Sequence, residues 1–198
     1  MVTYFAIKAI VSSNAHYCAG GLPDAKSAAI ALRMKIAING FGRIGRTILR
    51  QILTSPRGSG IEVACINDIT DPEMCAYLFQ YDSTFGPYPG EVSLEDGALC
   101  IDGRRIPLHQ QANVTNLDLS GVDLLMECTG IARTTDLAER GLTAGASKVL
   151  ISGPSPAAEV TVVYGVNDDA LAGAQIVSNA SCTTNAVAGL VQLVDEVA

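Results

Sequence analysis

The sequence is short of positive charge, of paired cysteines and of long apolar runs, and each shortage closes off a class of function. Thirteen Lys and Arg stand against twenty Asp and Glu, a formal net charge of −7. There is therefore no basic footprint for nucleic acid or for an anionic membrane surface. No apolar stretch reaches the roughly 18 residues that a membrane-spanning helix requires. The cysteines at 18, 65, 75, 100, 128 and 182 are scattered without C-x-x-C spacing. That spacing argues against a metal site and a disulfide framework, and it fits a reducing cytoplasm. Most of them read as small core residues, with Cys65, Cys100 and Cys128 inside predicted strands. Charged residues are only 17% of the chain and hydrophobic ones 48%, so a packed core is expected rather than disorder. A length of 198 residues suits one large domain, or one domain plus a piece.

What is present is organised around residues 35–46, KIAINGFGRIGR. They read as an apolar strand, a tight glycine turn and the first turn of a helix. Gly40, Gly42 and Gly45 stand at G-x-G-x-x-G spacing. In a dinucleotide site one glycine makes the turn, one lets the backbone approach the pyrophosphate, and one lets helix and strand pack closely. The pyrophosphate then meets free N–H groups at the positive end of the helix. Three spaced glycines also occur in ordinary strand-to-helix turns, so context decides. Helical spacing continues over 47–53, and a second strand over 61–67 ends at Asp68. That is about 20 residues beyond the glycines, where the fingerprint places an acid for the ribose hydroxyls. Its charge favours NAD over a 2′-phosphorylated cofactor.

Residues 1–33 look unlike the rest, being poor in acids and rich in Ala and Ser. They are expected to be a poorly ordered upstream extension with Met34 as the natural start, and no chemistry is assigned to His16 or Cys18. Asp71-Pro72-Glu73 is a helix start, and the helix is expected to run to about Gln80. Residues 81–90, with two prolines and two glycines, are expected to be a loop. Over 91–109 polar and apolar residues alternate around Asp96-Gly97 and Asp102-Gly103, which predicts a meander of two hairpins. Strands are predicted over 122–127, 148–151, 160–164 and 175–178, with a helix over 135–144. The fold class is thus α/β, a mostly parallel sheet with helices on both faces and an antiparallel hairpin insertion. In such a sheet ligands bind beyond the carboxyl ends of the strands. The turns after Ile38, Asn67, Glu127 and Ile151 should line one cleft.

The last strand leads into Asn179-Ala180-Ser181-Cys182-Thr183-Thr184-Asn185 and a helix predicted over 186–198. Cys182 then lies at a helix N-terminus, where the dipole favours the nucleophilic thiolate. Ser181 and Thr183, with free backbone N–H groups, suit a phosphate. On composition alone, a small buried thiol capped by Ser and Thr is the preferred reading.

From Met34 onward the chain resembles the front portion of the phosphorylating glyceraldehyde-3-phosphate dehydrogenases. The residues that carry the resemblance are INGFGRIGR (38–46), IND (66–68), YDSTFG (81–86), ECTG (127–130), ISGPSP (151–156), GVN (165–167) and SNASCTTN (178–185). Erythrose-4-phosphate dehydrogenases share VVYGVN and CTG and stay open as an alternative. The resemblance implies a Rossmann domain over 34–181 that binds NAD, followed by the first helix of a catalytic domain over 182–198. It implies that Cys182 attacks the aldehyde, that hydride passes to the nicotinamide, and that inorganic phosphate cleaves the thioester to an acyl phosphate. Ser181 and Thr183 match a phosphate site. Asn39, Gly40, Phe41, Gly42, Arg43, Ile44, Gly45, Asp68, Thr129, Gly130 and Ser152 match the cofactor site. A homotetramer is implied for the full-length relatives.

There are departures. Family members usually carry Glu-Arg-Asp where Gln111-Ala112-Asn113 stand, and an aromatic at Ala132, both expected near the adenine. Phe85 and Ala186 replace a usual histidine and cysteine. The family's catalytic histidine, its phosphate-binding arginine and most of its substrate domain match nothing in this chain, and neither His16 nor His109 fits the base. The expectation is therefore a chain that binds NAD, exposes apolar surface and does not turn over alone. A catalytically inactive, stand-alone NAD-binding module is the competing reading.

Overall fold

The computed structural model describes residues 34–197, and the expected extension over 1–33, with His16 and Cys18, lies outside them. Strand β1 (Met34–Asn39) turns into helix α1 (Arg43–Thr54), which returns to β2 (Ile61–Asn67), parallel to β1 with Ile38 opposite Ile66. Successive strand residues face opposite sides of a sheet. Met34, Ile36 and Ile38 accordingly join one core cluster and Ala37 the other. On the first side α1 contributes Ile48, Leu49 and Ile52, and α2 (Pro72–Gln80) contributes Cys75 and Phe79. On the second side α3 (Thr135–Thr143) packs Ala138 against Val149 and Ile151. The Asp71 side chain accepts from the Glu73 and Met74 N–H groups, so the cap read from the sequence starts α2 where expected.

Residues 81–90 are not wholly irregular. β3 (Tyr81–Asp82) pairs with β4 (Gly86–Pro87) across a turn in which Asp82 Oδ1 accepts from the Thr84 and Phe85 amides. β5 (Val92–Glu95), β6 (Ala98–Ile101) and β7 (Arg104–His109) then form the expected meander. Both turns have positive φ at each central residue, 44° and 71° at Asp96-Gly97 and 48° and 75° at Asp102-Gly103. That is the turn geometry whose twist matches antiparallel strands.

β8 (Leu124–Glu127), β9 (Val149–Ile151), β10 (Val160–Thr161) and β11 (Ile176–Ser178) complete a sheet of order β10-β11-β9-β8-β1-β2-β7-β6-β5. Every pairing from β10 to β7 is parallel; β7, β6 and β5 are antiparallel. In chain order, β7-β2-β1-β8-β9-β11 is the 3-2-1-4-5-6 arrangement of the Rossmann dinucleotide fold. Two predicted bounds change by three residues or more. The strand expected over 160–164 stops at Thr161, because the Asn167 side chain takes the Val163 N–H (2.8 Å) and donates to the Thr161 carbonyl (3.0 Å). The last helix, α4 (Cys182–Val197), starts four residues earlier than expected, and its Leu190, Val191 and Val194 are 63%, 60% and 64% exposed.

Candidate functional site

The three glycines of the first turn are placed for three different tasks. Gly40 has φ +92°, and a methyl there would lie 2.7 Å from the Cys128 carbonyl carbon and the Thr129 nitrogen. The turn after β1 therefore backs directly onto the turn after β8. A methyl on Gly45 would lie 2.2 Å from the Gly40 carbonyl oxygen, so α1 packs against its own entry turn. A methyl on Gly42 would meet no atom within 4 Å, and Gly42 faces a cavity. Phe41 is buried and stacks on Phe79 at 6.0 Å between ring centres. It serves the site through its N–H, which donates to Asp68 Oδ2 at 2.5 Å. Arg43 and Ile44 lie exposed on the first turn of α1.

Asp68 is held at the end of β2. Its Oδ1 accepts the Thr70 N–H at 2.8 Å. Partial burial opposes its charge, but the bonds from Thr70 and Phe41 and the nearby Arg46 guanidinium outweigh that, so its carboxyl stays below the usual range. Beside it lies a run of buried polar groups. Asn67 Nδ2 donates to Asn39 Oδ1 (2.8 Å), and Asn39 Nδ2 donates to Glu127 Oε2 (2.5 Å). Glu127 Oε1 accepts from both the backbone N–H (2.9 Å) and the hydroxyl of Thr129.

These residues floor a cavity of about 290 Å³ over the carboxyl ends of β1, β2 and β8, the point where strand order reverses and dinucleotides bind in such sheets. Asn39, Gly40, Gly42, Asp68, Thr129, Ile131 and Arg140 line it, with Gln111 and Ala112, which follow β7, as the far wall. Three of the four predicted turns thus meet there. Gly130 is exposed beside Thr129. Ser152 is not on the wall; its N–H donates to the Glu127 carbonyl (2.9 Å). Of the departures, Ala112 faces the cavity, whereas Ala132 is buried in the second core and Ile131 takes the wall position.

Ser181, Cys182 and Thr183 lie farther along the same edge, beyond β11, which is two strands from β8 and so about 10 Å away. Ala180 adopts φ 56°, a left-handed conformation that is uncommon without glycine and turns the chain sharply from β11 into α4. The Ser181 hydroxyl caps the helix by accepting the Thr184 N–H at 3.0 Å. Cys182 is the first helical residue and is exposed. Cys128, by contrast, lies just past β8 rather than within it, and burial pushes its thiol up to about 12 despite a Ser152 hydrogen bond. Cys65 and Cys75 are likewise pushed up to about 11 by burial. His109 ends β7, exposed. Five strand spacings separate β7 from β11, about 24 Å, too far for an imidazole to reach Cys182.

The sequence assigns no role to the side chains of Asn67, Glu127 or Arg140, whereas Gln111, expected near the adenine, does line the cavity. The signal for Glu127 was a carboxylate closing an otherwise apolar, buried strand.

Residues 34–135 match the family described as "Glyceraldehyde 3-phosphate dehydrogenase, NAD binding domain". The chain is 48% identical over 169 residues to the glyceraldehyde-3-phosphate dehydrogenase of Zymomonas mobilis, a match covering 83% of this chain and 50% of the relative. The enzyme of Pseudomonas aeruginosa is 47% identical over 165 residues, 82% of this chain and 49% of its own length. That of Haemophilus influenzae is 45% identical over 167 residues, 83% and 48%. The chain spans about half the length of the curated relatives it matches. With a glycine loop open at Gly42, an acid closing β2 and a cavity at the strand-order reversal, it belongs to the glyceraldehyde-3-phosphate dehydrogenase family and carries that family's NAD-binding Rossmann domain.

Proposed function

We propose that this chain supplies the cofactor cleft and the nucleophile of a phosphorylating aldehyde dehydrogenase acting on glyceraldehyde 3-phosphate, the substrate in its relatives' names. The observation that carries the reading is an exposed cysteine at the N-terminus of α4, on the same sheet edge as the glycine-loop cavity. The open face of Gly42 and the free N–H groups of α1 fit a pyrophosphate, and Asp68 fits ribose hydroxyls. NAD, when bound, takes up the hydride. The chain's part is to add Cys182 Sγ to the aldehyde carbon, the carbonyl oxygen gaining a proton. When the thiohemiacetal carbon gives up its hydride, its hydroxyl gives up a proton to solvent, which leaves the acyl group on Sγ as a thioester. An inorganic phosphate oxygen then displaces the thiolate to give the acyl phosphate. Thr183 and the amides of the first turn of α4 suit a phosphate group; Ser181 would share a hydroxyl already used as the cap.

In this reading residues 34–181 are the cofactor domain, α4 opens the catalytic domain, and the complete protein is a cytoplasmic homotetramer. By itself the 198-residue chain forms no NADH, because no imidazole faces Cys182 among the described residues. That same observation favours the second reading, an NAD-binding module without chemistry. A chimera in which residues 34–197 replace the matching half of the Zymomonas mobilis enzyme separates the two. We expect NADH formation from glyceraldehyde 3-phosphate and phosphate, abolished by Cys182→Ala. No NADH at saturating phosphate, from this aldehyde or from erythrose 4-phosphate, would favour the inert module.

A further inference from the structure

We propose that Glu127 is a positioning residue for the cofactor cleft. Its carboxylate ends a one-way chain of hydrogen bonds that fixes both walls of the cleft, and only a group accepting on both sides satisfies every member. The direction of the chain is set by main-chain groups, which cannot flip. At the far wall the Gln111 N–H donates to Asn67 Oδ1 (2.8 Å) and the Gln111 carbonyl accepts from Asn67 Nδ2 (2.9 Å). With its oxygen committed to a backbone donor, Asn67 must present Nδ2 to Asn39, which therefore offers Oδ1 to Asn67 and Nδ2 to Glu127. At the near wall the Thr129 N–H donates to the other Glu127 oxygen. Glu127 thus receives donors from both ends.

Asn67, Glu127 and Asn39 are 3%, 5% and 8% exposed, so water has little room to replace a missing partner. A carboxamide at position 127 has one acceptor. It would set an NH2 against either the Asn39 NH2 or the Thr129 N–H, and flipping Asn39 only moves the conflict to Asn67. The turn after β8 and the wall at Gln111 would lose their common anchor. This rests on the NAD-binding reading of the cavity and adds the group that gives the cavity its shape.

The test exploits polarity. Moving the carboxylate one position along the chain, with Asn39→Asp and Glu127→Gln together, restores a consistent order. The carboxylate now at position 39 then accepts from Asn67 and from the carboxamide at position 127, whose own oxygen accepts from Thr129. NAD affinity by calorimetry on the 198-residue chain should weaken roughly tenfold or more in E127Q and in N39D, and the double variant should recover most of the loss. A role confined to stability would lower the unfolding midpoint without changing the affinity of the folded protein. Amide exchange at Gln111, measured without cofactor, should be faster in each single variant and protected again in the double. Unchanged NAD affinity in E127Q, or a double variant worse than both singles, would overturn the proposal. If E127Q does not fold, the double variant must, and failure of both to fold would also overturn it. A wild-type chain that does not bind NAD would sink the cofactor reading, leaving the exchange result to judge the bond chain.

Discussion

Replacing Gly42 by alanine should separate the cofactor role of the glycine turn from its structural role. A methyl at Gly42 meets no atom within 4 Å, and the residue already sits at φ −68° and ψ −162°, a conformation alanine adopts freely. The lost freedom of the unfolded chain offsets most of the poorer N-cap that alanine makes, so stability should stay within about 1 kcal/mol of wild type. The methyl does, however, occupy the face from which the loop N–H groups would reach a pyrophosphate. Loss of one or two charge-assisted hydrogen bonds predicts NAD binding weaker by roughly 10- to 100-fold. Gly45→Ala is the opposite case. Its methyl would lie 2.2 Å from the Gly40 oxygen, so α1 must shift off β1 at a cost of about 3 kcal/mol, a large share of the total stability of a domain. Calorimetry with NAD and urea unfolding of both variants give the two numbers. A Gly42→Ala chain that binds NAD as wild type does would refute the reasoning.

Two further outcomes follow from the same geometry. Asp68 is held below the usual carboxylate range in the folded state. Its contribution to stability is therefore complete above the unfolded value of about 3.9 and is lost as pH falls through the lower folded value. Asp68→Asn should remove part of the acid sensitivity of urea unfolding below about pH 4, and an unchanged pH profile would count against it. Arg50, buried on α1, donates to the Phe79 carbonyl (2.6 Å) at the end of α2 and lies over the Phe79 and Tyr88 rings at 5.4 and 5.6 Å. Arg50→Ala strands that carbonyl and should cost about 3 kcal/mol in unfolding free energy. Arg50→Lys should recover only part of it, because a point charge lacks the planar stacking group.

Local chemistry made much of this fold legible. The Asp71-Pro72-Glu73 cap, the two Asp-Gly turns and the β1–glycine–α1 unit each depend on residues within a few positions of one another, and each stands where the sequence placed it. The errors arose where a distant or unexpected partner decides. The edge strand at 160 is shorter than its apolar run because Asn167, several residues on, satisfies the backbone groups a longer ladder would use. α4 begins at Cys182 rather than at 186, because the Ser181 cap holds a first turn that includes Thr183 and Thr184, both of low helix propensity. Asn67, Asn39 and Glu127 meet across separations of 28 and 88 residues. No spacing rule links them; only the parallel pairing of β2, β1 and β8 brings them together.

The most direct measurement of the central claim, that Cys182 and the NAD cleft form one site, is the alkylation rate of each cysteine at neutral pH, mapped by mass spectrometry with and without NAD. Cys65, Cys75 and Cys128 are held as neutral thiols by burial, whereas Cys182 is exposed at a helix N-terminus. The account predicts that Cys182 is modified well ahead of these three and that saturating NAD changes its rate. A Cys182 that reacts no faster than the buried thiols, or whose rate is indifferent to NAD, would contradict it.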